Sequence, residues 1–183
     1  MAWEIDQSHT TVEFSTRHMM VTTVKGRFTK FSGKIDLDEA NPAASVVDVT
    51  VDTNSVSTGD EKRDGHLRSP DFFDVAQYPT LTFKSNRVER LDQDTARVHG
   101  DLTIKGVSQP VTLEVTREGE TKNMRGERLM GFSVRTSISR KDWGLNWNVA
   151  LEAGGVLVGD KINLASDAEV FEPAAAQAAT ANA

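Results

Sequence analysis

The chain has four histidines, His9, His18, His66 and His99, each on a separate segment with no i,i+4 pair, and it has no cysteine. Disulfides, thiolate nucleophiles and Cys-ligated zinc are therefore excluded, and no metal site is expected from the spacing. Ser8-His9 places a hydroxyl beside an imidazole, but no oxyanion-hole element accompanies it, so the pair reads as turn chemistry. Gly-x-Ser-x-Gly, His-Glu-x-x-His, phosphate-loop and dinucleotide glycine patterns are absent. Asp60-Glu61-Lys62-Arg63-Asp64 mixes charge signs as a solvated helical face does, and no carboxylate is marked as a general acid. We expect no catalytic residue. Two other positions point to binding. His18 follows Val12, Phe14 and Thr16 at every second residue, and Arg140 follows Phe132, Val134, Thr136 and Ile138 in the same way. A histidine and an arginine ending two apolar stripes could hold the polar head of a molecule whose tail lies between them. The alternative is that Arg140 pairs with Asp142 or Asp160 and that His18 is a hydrogen-bonded rim residue, since a buried arginine must find a partner.

The elements that carry these stripes alternate with period two. Eight runs are predicted, at about 10–18, 23–38, 45–54, 80–90, 95–105, 110–118, 124–139 and 156–171. β-branched and aromatic residues fill one face of each run and polar residues the other, the signature of sheets with one dry face. In the second run the parity of apolar residues switches between Phe28 and Ile35, which predicts a bulge or bend across Lys30–Gly33. Short connections such as Lys105-Gly106 imply antiparallel neighbours. The fold class expected is all-β: a single eight-stranded antiparallel up-and-down barrel with a short helical insert at one end. Within the insert, Thr58 to Glu61 fits a capping box, Ser69-Pro70 reads as a second helix start, and Pro79 ends the segment. The domain is expected over 3–172, with the Ala-rich tail 173–183 disordered.

Strand parity sorts the connections. Loop 19–22, the insert 55–79, loop 106–109 and loop 140–155 fall at one end, and the turns near 39–44, 91–94 and 119–123 at the other. Long loops on a rigid barrel commonly carry function, so the mouth is expected at the first end. The alternative is that those loops plug the barrel. The candidate lipid-binding residues on this reading are Phe14, His18, Met19, Met20, Phe28, Leu67, Phe72, Phe73, Phe83, Phe132, Val134, Ile138, Arg140, Trp143 and Trp147.

An ordered set of motifs then resembles the YceI family: Asp6-Gln7-Ser8-His9-Thr10, His18-Met19, Val24-x-Gly26-x-Phe28, Arg63-Asp64-x-His66-Leu67 and Ser69-Pro70-Asp71-Phe72-Phe73-Asp74. Tyr78-Pro79, Thr82-Phe83-x-Ser85, Gly100 to Val107, Gly131-Phe132, Arg140-Lys141-Asp142-Trp143-Gly144 and Val158-Gly159-Asp160 extend it over about 3–172. The resemblance implies a lipocalin-like barrel that encloses a polyisoprenoid or an isoprenoid quinone as ligand, with no further cofactor required, and binds rather than catalyses. Members of that family often carry a secretion signal.

Composition bounds the rest. Of 183 residues, 21 are Lys or Arg and 27 are Asp or Glu, a net charge of −6, and 38% are hydrophobic. That is a globular balance. Nothing supplies a broad basic surface, so no nucleic acid partner is expected. No apolar run approaches the ~20 residues of a membrane-spanning helix. The start Met1-Ala2-Trp3-Glu4-Ile5-Asp6 has neither a basic nor an apolar leader region, so the expected location is cytoplasmic, or periplasmic or secreted if a leader has been removed. The expected function is a carrier or sequestering protein for an amphiphilic long-chain lipid, with transient membrane contact. The alternatives are an enzyme acting on a prenyl lipid, and a solid barrel that serves as an interaction module or homodimer.

Overall fold

The computed structural model describes residues 2–173, so the tail beyond Pro173 lies outside the described residues. Among the described residues eleven strands are present: β1 (Ala2–Ile5), β2 (Glu13–His18), β3 (Thr22–Phe28), β4 (Phe31–Asp36), β5 (Val46–Asp52), β6 (Val56–Ser57), β7 (Thr80–Arg90), β8 (Thr95–Ile104), β9 (Val107–Lys122), β10 (Arg128–Ser139) and β11 (Lys161–Glu172). One helix, α1 (Glu61–Arg68), lies between β6 and β7. All pairings are antiparallel.

Eleven strands reduce to eight staves because three staves are broken. β1 and β2 both pair with β11, Ile5 opposite Val170 and Phe14 opposite Leu164, and so form one stave interrupted at residues 6–12. β3 pairs with β2 while β4 pairs with β1, which makes β3 and β4 the next stave. β5 and β6 form the third. β11 closes on the first stave, giving a closed eight-stranded antiparallel barrel. The expected bend in the second run falls at Thr29–Lys30. The Ser55 hydroxyl pins it, accepting from the Thr29 and Lys30 N–H groups at 3.1 and 3.0 Å and donating to the Asp52 carbonyl at 2.7 Å. The bends of two neighbouring staves are thus tied at one level. β1 is an addition to the expected strands, too short for its alternation to show.

Two glycines make room for rings. A Cβ on Gly26 would lie 2.3 Å from the Phe14 ring, and one on Gly100 would lie 2.4 Å from the Lys84 carbonyl oxygen and 2.6 Å from the Phe83 ring. Glycine at these sites lets two aromatic rings lie flat over the neighbouring strand.

The insert differs from its expected caps. Asp60, not Thr58, caps α1: its carboxylate accepts from the Arg63 N–H at 2.9 Å, which holds its pKa down. The Thr58 hydroxyl instead donates to the buried carboxylate of Asp64 at 2.6 Å. Ser69 is the C-cap of α1, its hydroxyl donating to the His66 carbonyl, and residues 70–74 form turns rather than a second helix. Leu67 is the only large apolar side chain of α1, so the helix docks through hydrogen bonds. The Arg68 guanidinium donates to the carbonyls of Asn54 and Val56 at 3.1 Å each.

Candidate functional site

Side chains that face inward from a filled barrel should be fully buried. Here Phe14, Val47, Val49, Leu81, Leu113, Phe132, Val134, Ile138, Leu164 and Ala168 remain only half-buried, although all of them line internal space. The barrel is hollow.

The hollow has two compartments. The deep one, about 280 Å3, is walled by Phe14, Phe28, Phe31, Val49, Val51, Phe73, Leu81, Phe83, Leu102, Ile104, Ile138, Trp143, Leu145, Ile162 and Leu164. The outer one, about 320 Å3, is walled by Leu37, Val88, Ala96, Val98, Val115, Met130, Phe132 and Val170. Ile35, Val47, Leu113, Val134 and Ala168 belong to both walls and form the waist. Each volume falls near the lower edge of the ~300–1,000 Å3 that small-molecule sites occupy.

The deep end is filled by aromatic packing. Phe14 and Phe28 stack with centroids 5.5 Å apart, and Phe73 meets Phe28 edge-on at the same distance. The Trp143 indole N–H donates to the Leu102 carbonyl at 2.9 Å. Outside these, His66 is wedged between Trp147 and Phe72 at 4.5 and 5.1 Å and is hydrogen-bonded to Asp71 at 2.8 Å.

Arg140 closes this end and is only 4% exposed. Nε donates to the Gly159 carbonyl at 3.0 Å, Nη1 to the carbonyls of Leu145 and Trp147, and Nη2 to the Val158 carbonyl and the Asp160 carboxylate at 3.3 and 3.4 Å. A guanidinium has five N–H donors, and these five bonds use them all. Burial pulls its pKa down and Asp160 opposes the shift. Arg140 is thus a clamp on the 144–160 loop, and it pairs with Asp160, one of the two carboxylates weighed for it.

The outer compartment lies at the end opposite the one where the mouth was expected. The long connections do gather at one end, as parity requires, but their apolar side chains fold inward and fill it. The short turns at the opposite end have no spare chain to cover the opening. There the outer compartment is rimmed by Asp38, Glu39, Arg90, Asp92, Gln93, Asp94 and Arg117.

Of the fifteen residues expected to contact ligand, Phe14, Phe28, Phe73, Phe83, Phe132, Val134, Ile138, Arg140 and Trp143 line the hollow. Leu67, Phe72 and Trp147 pack behind the deep wall. His18 bridges to Val158 at the end of β2 and lines neither compartment. Met19 and Met20 are 46% and 64% exposed on the tip of a hairpin turn, with φ of 50° and 61°. Sequence reasoning named Val134 of the waist but missed its other four residues and the rim. The waist was within reach, because Val47 and Leu113 lie on stripes already read as inward.

At the seam between β1 and β2, Asp6, His9 and Glu169 converge. His9 Nδ1 lies 2.9 Å from Asp6 and 3.6 Å from Glu169, and the Ser8 hydroxyl donates to Asp6 at 2.6 Å. Bonds from Ser8 and His9 hold the Asp6 pKa at about 2, and Asp6 raises that of His9. The group ties the interrupted stave to β11, where the Asp6 N–H donates to the Glu169 carbonyl.

Comparison with known proteins decides the family. The YceI-like domain matches residues 3–170. The chain belongs to the YceI family. The UPF0312 protein SERP2314 of Staphylococcus epidermidis is 36% identical over 168 residues, which cover 91% of this chain and 95% of that protein. The YCEI protein of Campylobacter jejuni, solved by crystallography, is 33% identical with a TM-score of 0.75, covering 86% of this chain and 90% of the other. A polyisoprenoid binding domain from Saccharophagus degradans, implicated in plant cell wall breakdown, shares the fold at 18% identity with a TM-score of 0.67, covering 94% and 99% of the two chains. The YceI assignment agrees with the closed barrel and the short helix α1.

Proposed function

We propose that this YceI-family protein is a carrier or buffer for a long-chain lipid of the polyisoprenoid or isoprenoid-quinone type. The chain of the lipid lies along the hollow, with its tail end toward Trp143 and its head at the Asp92–Arg117 rim. The observation that carries this reading is the ring of half-buried apolar side chains around both compartments. Such surface, dry-natured yet unfilled, gains from an apolar guest: each buried CH2 contributes ~0.8 kcal/mol, so a few isoprene units supply several kcal/mol.

Two further features support the reading. Glu13 and Arg140 are the ionisable residues among those described in the deep wall, and Arg140 is spent on carbonyls, so this wall favours holding over reacting. The domain from Saccharophagus degradans is described as polyisoprenoid binding, and its barrel has the same shape. Release into a membrane follows from the same energetics, because a guest this apolar leaves only for another apolar phase.

The test is solvent extraction of the purified protein followed by mass spectrometry. An isoprenoid lipid recovered near one per chain is expected. A lipid-free protein that also refuses added long-chain isoprenoids would overturn the proposal.

A further inference from the structure

The rim of the outer compartment carries charge of both signs, with carboxylates in excess. Four carboxylates, Asp38, Glu39, Asp92 and Asp94, face two guanidiniums, Arg90 and Arg117. Both cations are engaged. Arg90 Nε donates to the Asp92 carbonyl at 2.8 Å and Nη2 to the Gln93 carbonyl at 3.4 Å, while Arg117 is paired with Glu120. Arg128 stands just behind the rim and adds no loose positive charge. It is held by Glu39 at 2.9 Å and Glu120 at 2.8 Å, and the 2%-exposed carboxylate of Glu172 lies 3.5 Å away.

The Asp92 carboxylate is held in its charged form by its own bonds. Asp92 accepts from the Thr95 hydroxyl at 2.7 Å and from the Asp94 and Thr95 N–H groups at 2.9 and 2.8 Å, which lowers its pKa. The Arg128 bond does the same for Glu120. A ligand that enters this mouth therefore meets acceptor oxygens and net negative charge at the edge of an apolar cavity. A diphosphate placed there would have to displace Glu120 from Arg117 or the backbone carbonyls from Arg90, and in either case lie against carboxylates that repel it. A hydroxyl or ammonium finds acceptors at once.

We infer that the outer compartment is a head-group subsite for neutral or cationic, hydrogen-bond-donating heads, a long-chain alcohol, phenol or amine, and that it discriminates against prenyl diphosphates. This rests on the lipid-binding reading above and narrows it.

The experiment compares geranylgeraniol, geranylgeranyl diphosphate and geranylgeranylamine by displacement of a fluorescent lipid from the full chain, at 20 mM and at 500 mM salt. The alcohol and the amine are expected to bind at least tenfold more tightly than the diphosphate, with the gap narrowing at high salt as screening grows. The double variant Asp38→Asn, Asp94→Asn should tighten diphosphate binding severalfold and weaken amine binding severalfold. A diphosphate that binds the unaltered chain as well as the alcohol does overturns the inference while leaving the lipid-binding reading intact. If none of the three displaces the probe, and extraction finds no lipid, the lipid-binding reading falls and takes this inference with it.

Discussion

At one end of the barrel Phe73, Trp143, Leu145 and Trp147 are folded over the opening and five hydrogen bonds from Arg140 hold the covering loop; at the other, four-to-nine-residue connections leave a charged rim around an apolar hole. The ends differ in chain supply more than in composition. A connection with twenty or so residues brings enough apolar surface to bury itself in the barrel, and doing so requires an anchor for its backbone carbonyls. A tight turn satisfies its own backbone and has nothing left to cover the hole. Loop length therefore marks the stopper, and the function is expected where the loops are short.

Breaking the stopper should have the largest effect. Arg140→Met keeps much of the side chain's bulk but leaves buried carbonyls without donors, and a loss of ~3 kcal/mol or more is expected. At ~2–4 °C per kcal/mol for a domain of this size, that is a fall of roughly 6–12 °C in Tm by differential scanning calorimetry. Head-group selectivity should survive in whatever fraction stays folded. Selectivity lost with stability unchanged would return Arg140 to the ligand site.

The waist tests hollowness itself. Ala168→Phe adds a ring where a solid interior would pay ~1–3 kcal/mol for overpacking. A hollow one should absorb the ring for less than ~1 kcal/mol by urea denaturation, while affinity for a long-chain alcohol falls at least tenfold because the two compartments are cut apart.

A smaller effect is expected on the exposed hairpin beside the stopper. Met19 and Met20 hold consecutive left-handed conformations in a turn that Asn-Gly fits best. Met19→Asn with Met20→Gly should stabilise the chain by about 1 kcal/mol and leave lipid affinity untouched. A drop in affinity would bring this turn back into the site.

The seam gives the smallest effect, and it depends on pH. The folded pKa of His9 is raised from 6.5, so its contribution is complete below pH 6.5 and fades as pH climbs through the raised value. Asp6 is held at about 2 against 3.8, so its share is complete above pH 3.8 and is lost as pH falls toward 2. Both act together between these limits. The Tm difference between the unaltered chain and His9→Ala should be larger at pH 5.5 than at pH 8.5, and a difference that is larger at pH 8.5 would contradict the pairing.

The staves were readable because a half-dry strand writes its two faces into alternate residues. Even the bend at Thr29–Lys30 showed, as a switch of parity. β1 did not show, since Trp3 and Ile5 alone make no period. The capping residue of α1 was misread because Thr58 and Asp60 each precede a plausible partner by three residues, and only the buried Asp64 carboxylate decides which of them is free to cap. The inward direction of Arg140 was legible and Asp160 was one of two partners weighed for it, but its other four partners were not legible. They are backbone carbonyls of Leu145, Trp147, Val158 and Gly159, and sequence pairing sees only side chains. The rim residues Asp92, Asp94 and Arg117 carry no signal in the sequence, because charge at a turn or strand end is ordinary until the hole behind it is in view.

The account depends on a guest chain that enters between the short turns and points toward Trp143. The most direct measurement is a crystal structure of the protein with geranylgeraniol bound. Its hydroxyl should lie beside Asp92 and Arg117, with the terminal methyl groups beyond Ala168 in the deep compartment. A hydroxyl beside His66 and Trp147, or a lipid held outside a barrel whose interior has closed up, would contradict it.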